Sequence, residues 1–149
     1  MTRAEAERVE PDQRRAEEFL TQAGRFFADA ERETTALESA VVLFWSACLS
    51  AMDAVLAREG WRIGRGDESH RLRIETAAAT LGAGYRELFD RLDEWRRARH
   101  EVSYAAVTPP AAMVDALRTD ASDAIAATRP TSCAHKAEER ARPARAACT

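Results

Sequence analysis

The chain has 149 residues, 46% hydrophobic and 32% charged, the balance of one ordinary globular domain rather than a disordered chain. Its 22 Lys and Arg against 25 Asp and Glu leave a net charge of -3, so no overall field draws it to nucleic acid or to an anionic membrane. Cys48, Cys133 and Cys148 lack paired spacing, which excludes a disulfide framework, and Cys133 with His135 alone does not make a zinc site.

Residues 1–11 are charged and without periodicity, and are expected to form a frayed end with no signal peptide. From Asp12 onward Ala16, Phe19, Leu20, Ala23, Phe26, Phe27 and Ala30 share one helical stripe, which predicts a first helix ending near Asp29 to Arg32. Thr35 to Glu38 matches a capping box and opens a second helix. That helix is apolar on nearly every face, from Val41 through Trp45 and Cys48 to Leu56, as a central bundle helix is, and Gly60 is its expected stop. Its most apolar stretch, around Ala40 to Ala54, carries Asp53 and is too short to span a bilayer, so the chain is expected to be cytoplasmic.

A third helix, capped by Asp67 or Ser69, would bury Ile74, Ala77, Ala78 and Leu81 before Gly82 and Gly84 break it. A fourth carries Tyr85, Leu88, Phe89, Leu92 and Trp95 on one face. Thr108-Pro109-Pro110 predicts the start of a fifth, with the prolines in its first turn and Val114, Leu117, Ala121, Ile125 and Thr128 inward. The fold class expected is therefore all-α, an up-and-down bundle of four or five helices over residues 12–129, with no strand pattern. Residues 130–149, with Pro143 and no apolar stripe, read as a disordered tail.

Chemistry concentrates at the end of the fourth helix, in Trp95-Arg96-Arg97-Ala98-Arg99-His100-Glu101-Val102-Ser103-Tyr104. Counting on from Leu92 and Trp95, the next inward positions are Arg99 and Val102. A guanidinium there needs an anionic partner, a wet groove or a subunit interface, because burying it alone is too unfavourable. The competing reading ends the helix near Arg97 and sets its arginines against the negative end of the helix dipole. Every basic side chain except Lys136 and the histidines is arginine, planar and suited to bidentate phosphate contacts. His70, next to Arg71 and Arg73 at the start of the third helix, would extend such a surface. Trp61 is expected to pack over the bundle end, and Glu94 and Glu101 to pair with the arginines.

This order of helices, with Arg99-His100 late in the fourth, resembles the HEPN family (higher eukaryotes and prokaryotes nucleotide-binding). Its motif is Arg, a polar residue, three residues, then His. Arg99 matches the arginine and His100 the polar position, while Tyr104 stands where the histidine belongs. The resemblance covers residues 12 to 128 and implies a homodimer that binds RNA or a nucleotide between the ends of two fourth helices. Arg99 would contact phosphate, His100 and Tyr104 would shape the site, and Arg96, Arg97 and His70 would add binding charge. It further implies a toxin–antitoxin or defence setting with a nucleotidyltransferase partner, no cofactor, no metal and no membrane. Two other readings stand beside it. One is an active metal-independent endoribonuclease using Arg99, His100 and Tyr104, although Tyr, with an ordinary pKa near 10, is a poor base at neutral pH. The other is a structural interaction module whose arginines only bridge helices.

Overall fold

Asp12 sets the first helix: its carboxylate accepts from the Arg15 amide at 2.9 Å, satisfying an orphan donor of the first turn. The computed structural model describes residues 4–105 and 107–130, with the side chains of residues 103–105 outside that description. The sequence assigned to a disordered tail, beyond Pro130, lies outside the described residues, as do Cys133, His135 and Cys148.

The order is β1 (Ala6–Arg8), α1 (Gln13–Ala30), α2 (Leu37–Glu59), β2 (Trp61–Ile63), α3 (Ser69–Leu81), a 3₁₀ turn (Ala83–Tyr85), α4 (Arg86–Ala105) and α5 (Ala111–Thr128). This is the all-α up-and-down bundle expected, with one small strand pair added. Helix α2 is its axis and touches α1, α3, α4 and α5. Trp45, Phe44, Met52 and Val55 of α2 are fully buried with Leu92 of α4 and Leu117 of α5. Each such side chain contributes roughly 1.5–3 kcal/mol by leaving water. The small residues Ala16, Ala23 and Ala30 are the buried stripe of α1, and Phe27 meets Phe44 edge-on with centroids 5.2 Å apart. At 23 residues α2 is longer than its apolar run suggested and apolar enough to cross a bilayer, yet 72% of its most apolar window is buried in the bundle. Cys48 lies in the same core, where burial pushes its thiol pKa far up and makes it a small inert hydrophobe.

The N-terminal segment corrects the expectation of a frayed end without strands. Ala6, Glu7 and Arg8 pair antiparallel with Ile63, Arg62 and Trp61. Val9 donates to the Gly60 carbonyl and Gly64 to the Glu5 carbonyl, each at 2.9 Å. Arg62 bridges Glu7 at 2.6 Å, and the Arg8 guanidinium lies 4.5 Å over the Trp61 ring. Three strand residues that all face solvent leave no two-residue alternation to read, and backbone pairing carries the ribbon. Gly60 ends α2 in the left-handed conformation, as expected, and turns the chain into β2.

Three predicted caps are also corrected. Ala36 precedes α2 without a side-chain cap, because the Thr35 hydroxyl donates back to the Asp29 carbonyl at 2.8 Å. Neither Asp67 nor Ser69 caps α3; Glu68 stands there in the left-handed region, with no side-chain cap bond. Pro110 is the cap residue of α5 with no side-chain cap bond, so the prolines precede its first turn; Glu38's own backbone N–H, and after it the Thr108 side chain, hold the Glu38 carboxyl below its usual range. Tyr85 falls in the 3₁₀ turn and is exposed, whereas Leu88, Phe89 and Leu92 are buried as predicted. Asp120 of α5 is buried and fastens α4, accepting from Trp95 Nε1 at 2.7 Å and from Arg91 Nε at 2.9 Å.

Candidate functional site

Helix α4 runs on to Ala105, so it does not end near Arg97 and its inward stripe reaches Arg99. The Arg99 side chain is half-buried, and its Nε is shielded from solvent without a hydrogen-bond partner among the described residues. Leaving such a donor unpaired costs about 1–3 kcal/mol, more for a charged group. Arg99 forms part of the wall of a cleft of about 880 Å³ between the start of α3 and the last turns of α4. Gly66, Glu68, Ser69, His70 and Arg71 supply one side; Arg96, Arg97, Arg99, His100 and Glu101 supply the other.

One chain therefore brings together five of the six residues singled out from the sequence: Arg96, Arg97, Arg99, His100 and His70. Tyr104 lies on the last turn of α4, and its side chain is outside the described residues. With Arg71 the cleft holds four guanidinium groups against the carboxylates of Glu68 and Glu101. The α3 amides left without a side-chain cap add the positive end of a helix dipole at the same place.

The arginines differ in how far they are committed. Asp93 accepts from Arg96 Nε at 2.9 Å and from Arg97 at 3.0 Å, so this carboxylate, rather than Glu94 or Glu101, holds the pair. Its spacing of three and four residues from them on one helix is a signal the sequence carried. Arg71 bridges Glu68 at 3.3 Å and Glu75 at 3.5 Å. Arg73 turns away from the cleft and pairs with Asp53 of α2 at 2.6 Å, with both side chains mostly buried. Desolvation raises the Asp53 pKa, against the opposing pull of Arg73 and Arg15. That pair lies beside a second hollow of about 410 Å³ under the ribbon, where Arg15, Arg62 and Arg73 meet Glu10, Asp12 and Asp53 and the charges balance. Trp61 lines this second hollow beneath Arg8 and does not reach the arginine-rich cleft.

His70 is the chemically distinct group of the cleft. Its ring packs against Trp45 of α2 with centroids 6.3 Å apart. Burial lowers its pKa, and the nearby charges of Arg73, Arg99 and Arg96 lower it further, so the imidazole is held neutral near pH 7. Among the described residues no three His, Cys, Asp or Glu side chains gather as metal donors. The arrangement is suited to gripping a phosphate: planar guanidinium forks, helix amides and an imidazole converge on one open space. Comparisons of the chain with family models, with curated proteins and with solved structures find no match, so the functional reading comes from the cleft's own residues.

Proposed function

We propose that this chain binds RNA or a nucleotide by its phosphate groups, in the cleft between the start of α3 and the end of α4. The observation that carries this reading is Arg99, a half-buried guanidinium whose Nε has no partner among the described residues, on the wall of a cleft holding three further arginines. A phosphate would supply the missing acceptor and the counter-charge in one group. The HEPN resemblance supports the same reading, since the arginine it singles out is the one lining the cleft whose Nε has no partner among the described residues. A paired second copy and a defence-system setting with a nucleotidyltransferase belong to that resemblance and are proposed with it.

The test is binding of a fluorescent single-stranded RNA by wild type and Arg99→Ala, across a range of salt. Affinity should fall steeply with salt, as phosphate contacts release counterions, and fall at least tenfold (about 1.4 kcal/mol) in Arg99→Ala. Salt-independent binding, or equal affinity in the variant, would overturn the reading in favour of a structural module. The mass in solution, recorded alongside, reports whether two copies join.

A second reading, ribonuclease activity, is favoured by the neutral imidazole of His70 beside Arg99, a proton acceptor next to a phosphate-directed cation. Incubation with RNA in EDTA decides it: cleavage by wild type that Arg99→Ala abolishes establishes an enzyme, and the Tyr104→Phe variant shows whether that hydroxyl takes part. Binding without cleavage leaves a binding or regulatory protein.

A further inference from the structure

We propose that a phosphate group enters the α3–α4 cleft together with one proton, which settles on the His70 imidazole and turns it into a hydrogen-bond donor to the bound anion. This inference rests on the phosphate-binding reading of the cleft and adds how the site is filled and regulated.

The argument begins with what surrounds His70. Behind it is the Trp45 ring of α2, buried and uncharged. On its own helix Arg73 is engaged by Asp53 of α2, and Arg71 by Glu68 and Glu75. Across the cleft α4 presents Arg96 and Arg99, with Arg97, His100 and Glu101 completing that wall. The carboxylates lining the cleft are Glu68 and Glu101, outnumbered by four arginines. An imidazolium in the empty cleft would face cations in a partly desolvated site, so the empty cleft keeps the imidazole neutral.

A phosphate between Arg96, Arg99 and His70 reverses this field. Its negative charge offsets the guanidinium groups, and its oxygens accept from an imidazolium N–H, a charge-assisted bond that a neutral acceptor nitrogen does not form. Linkage then requires reciprocity: if a proton on His70 tightens the anion, the anion tightens the proton by the same factor. Affinity therefore rises as pH falls, and the complex takes up protons from solution. The four arginines stay charged throughout, so they set the basal affinity and His70 sets its dependence on pH.

The experiment uses the full chain and a short 2′-O-methyl oligouridylate with a 5′-hydroxyl end. This probe resists cleavage, and neither its phosphodiesters nor its bases titrate near neutrality. Calorimetry is run at one pH in two buffers of different ionisation enthalpy, and then as a pH series. The expected result is uptake approaching one proton per site on the acid side of neutrality. Affinity should rise by up to about tenfold per pH unit there. His70→Gln should bind more weakly than wild type on the acid side of neutrality, with both the uptake and the pH dependence lost. The His70 ring signals of wild type, followed by NMR, should titrate at higher pH with the probe bound, which tests the idea even where the variant fails to fold. Binding with pH-independent affinity and equal heats in both buffers would overturn the proposal while leaving the phosphate-binding reading intact. Uptake that persists unchanged in a folded His70→Gln would overturn it in favour of His100. A wild type that binds no probe at low salt would overturn the cleft reading itself, and this inference with it.

Discussion

Trp45 and His70 lie with their ring centroids 6.3 Å apart and their planes tilted by 33°, so the largest side chain of the core packs directly against the imidazole that lines the cationic cleft. The indole Nε1 is buried and has no hydrogen-bond partner among the described residues. Its contribution to stability therefore comes from packing alone. Trp45→Phe removes an unpaired N–H, whose burial costs about 1–3 kcal/mol, and offsets much of the volume lost. Urea unfolding should place Trp45→Phe within about 1 kcal/mol of wild type, but Trp45→Ala about 3–5 kcal/mol below it. A Phe variant as unstable as the Ala variant would mean that the indole N–H is satisfied.

How much of this was legible in the sequence depends on where the controlling contacts lie. Periodicity over twenty residues places Leu88, Leu92, Trp95 and then Arg99 on one face of α4, and the structure keeps that face inward. Signals that depend on one or two residues fared worse. The Thr35 hydroxyl turns back to the Asp29 carbonyl across the local turn between α1 and α2, a competing acceptor that the capping pattern does not reveal, and Thr108 meets Glu38 only through tertiary packing. The ribbon was invisible because Glu7 and Arg8 read as solvated charge, and their partners lie more than fifty residues away. The cleft was half legible: helical spacing gives its α4 wall, but only the packing of α3 against α4 and α2 brings His70 opposite those arginines.

Replacing Arg99 by methionine separates fold from function. Methionine fills a similar volume and removes a half-buried cation whose Nε has no partner among the described residues. Replacing poorly compensated buried charge with apolar groups is commonly neutral or stabilising. Thermal unfolding of Arg99→Met should match wild type or exceed it, by about 0–2 kcal/mol, while RNA or phosphate affinity is lost. Destabilisation by several kcal/mol would instead mark Arg99 as a bridge that holds the bundle together, as in the structural module.

Gly60 is where the ribbon meets the bundle. Its φ is +78°, and a Cβ built there would stand 2.5 Å from the Val9 carbonyl oxygen, a backbone atom of the chain entering from β1. Alanine must therefore both hold a left-handed conformation, at about 1–2 kcal/mol, and push the ribbon away. Gly60→Ala should lose about 2–3 kcal/mol in urea unfolding, and the Val9 amide, bonded to the Gly60 carbonyl, should lose its protection from hydrogen exchange. Retained protection at Val9 would show that the ribbon is held by the Arg62–Glu7 and Arg8–Trp61 contacts instead.

Asp93 restrains the cleft's charge. It takes hydrogen bonds from Arg96 and Arg97 at once, with about a quarter of the Arg96 side chain and most of the Arg97 side chain still in solvent (27% and 71%). The Arg97 pair, this exposed, contributes little to folding, about 0.2–1 kcal/mol at most, and the part-buried Arg96 pair joins two residues of one helix only three apart. Asp93→Asn keeps the shape, weakens both bonds and adds one positive charge beside the cleft. If the cleft grips phosphate, the variant should bind RNA up to about fivefold more tightly at low salt, with the gain fading as salt screens it. Its thermal stability should move by less than about 1 kcal/mol. If these arginines serve only to lock the helix, affinity will not rise and stability alone will fall. The sign of the affinity change thus separates a phosphate-binding surface from a structural salt bridge, without touching any residue of the cleft wall.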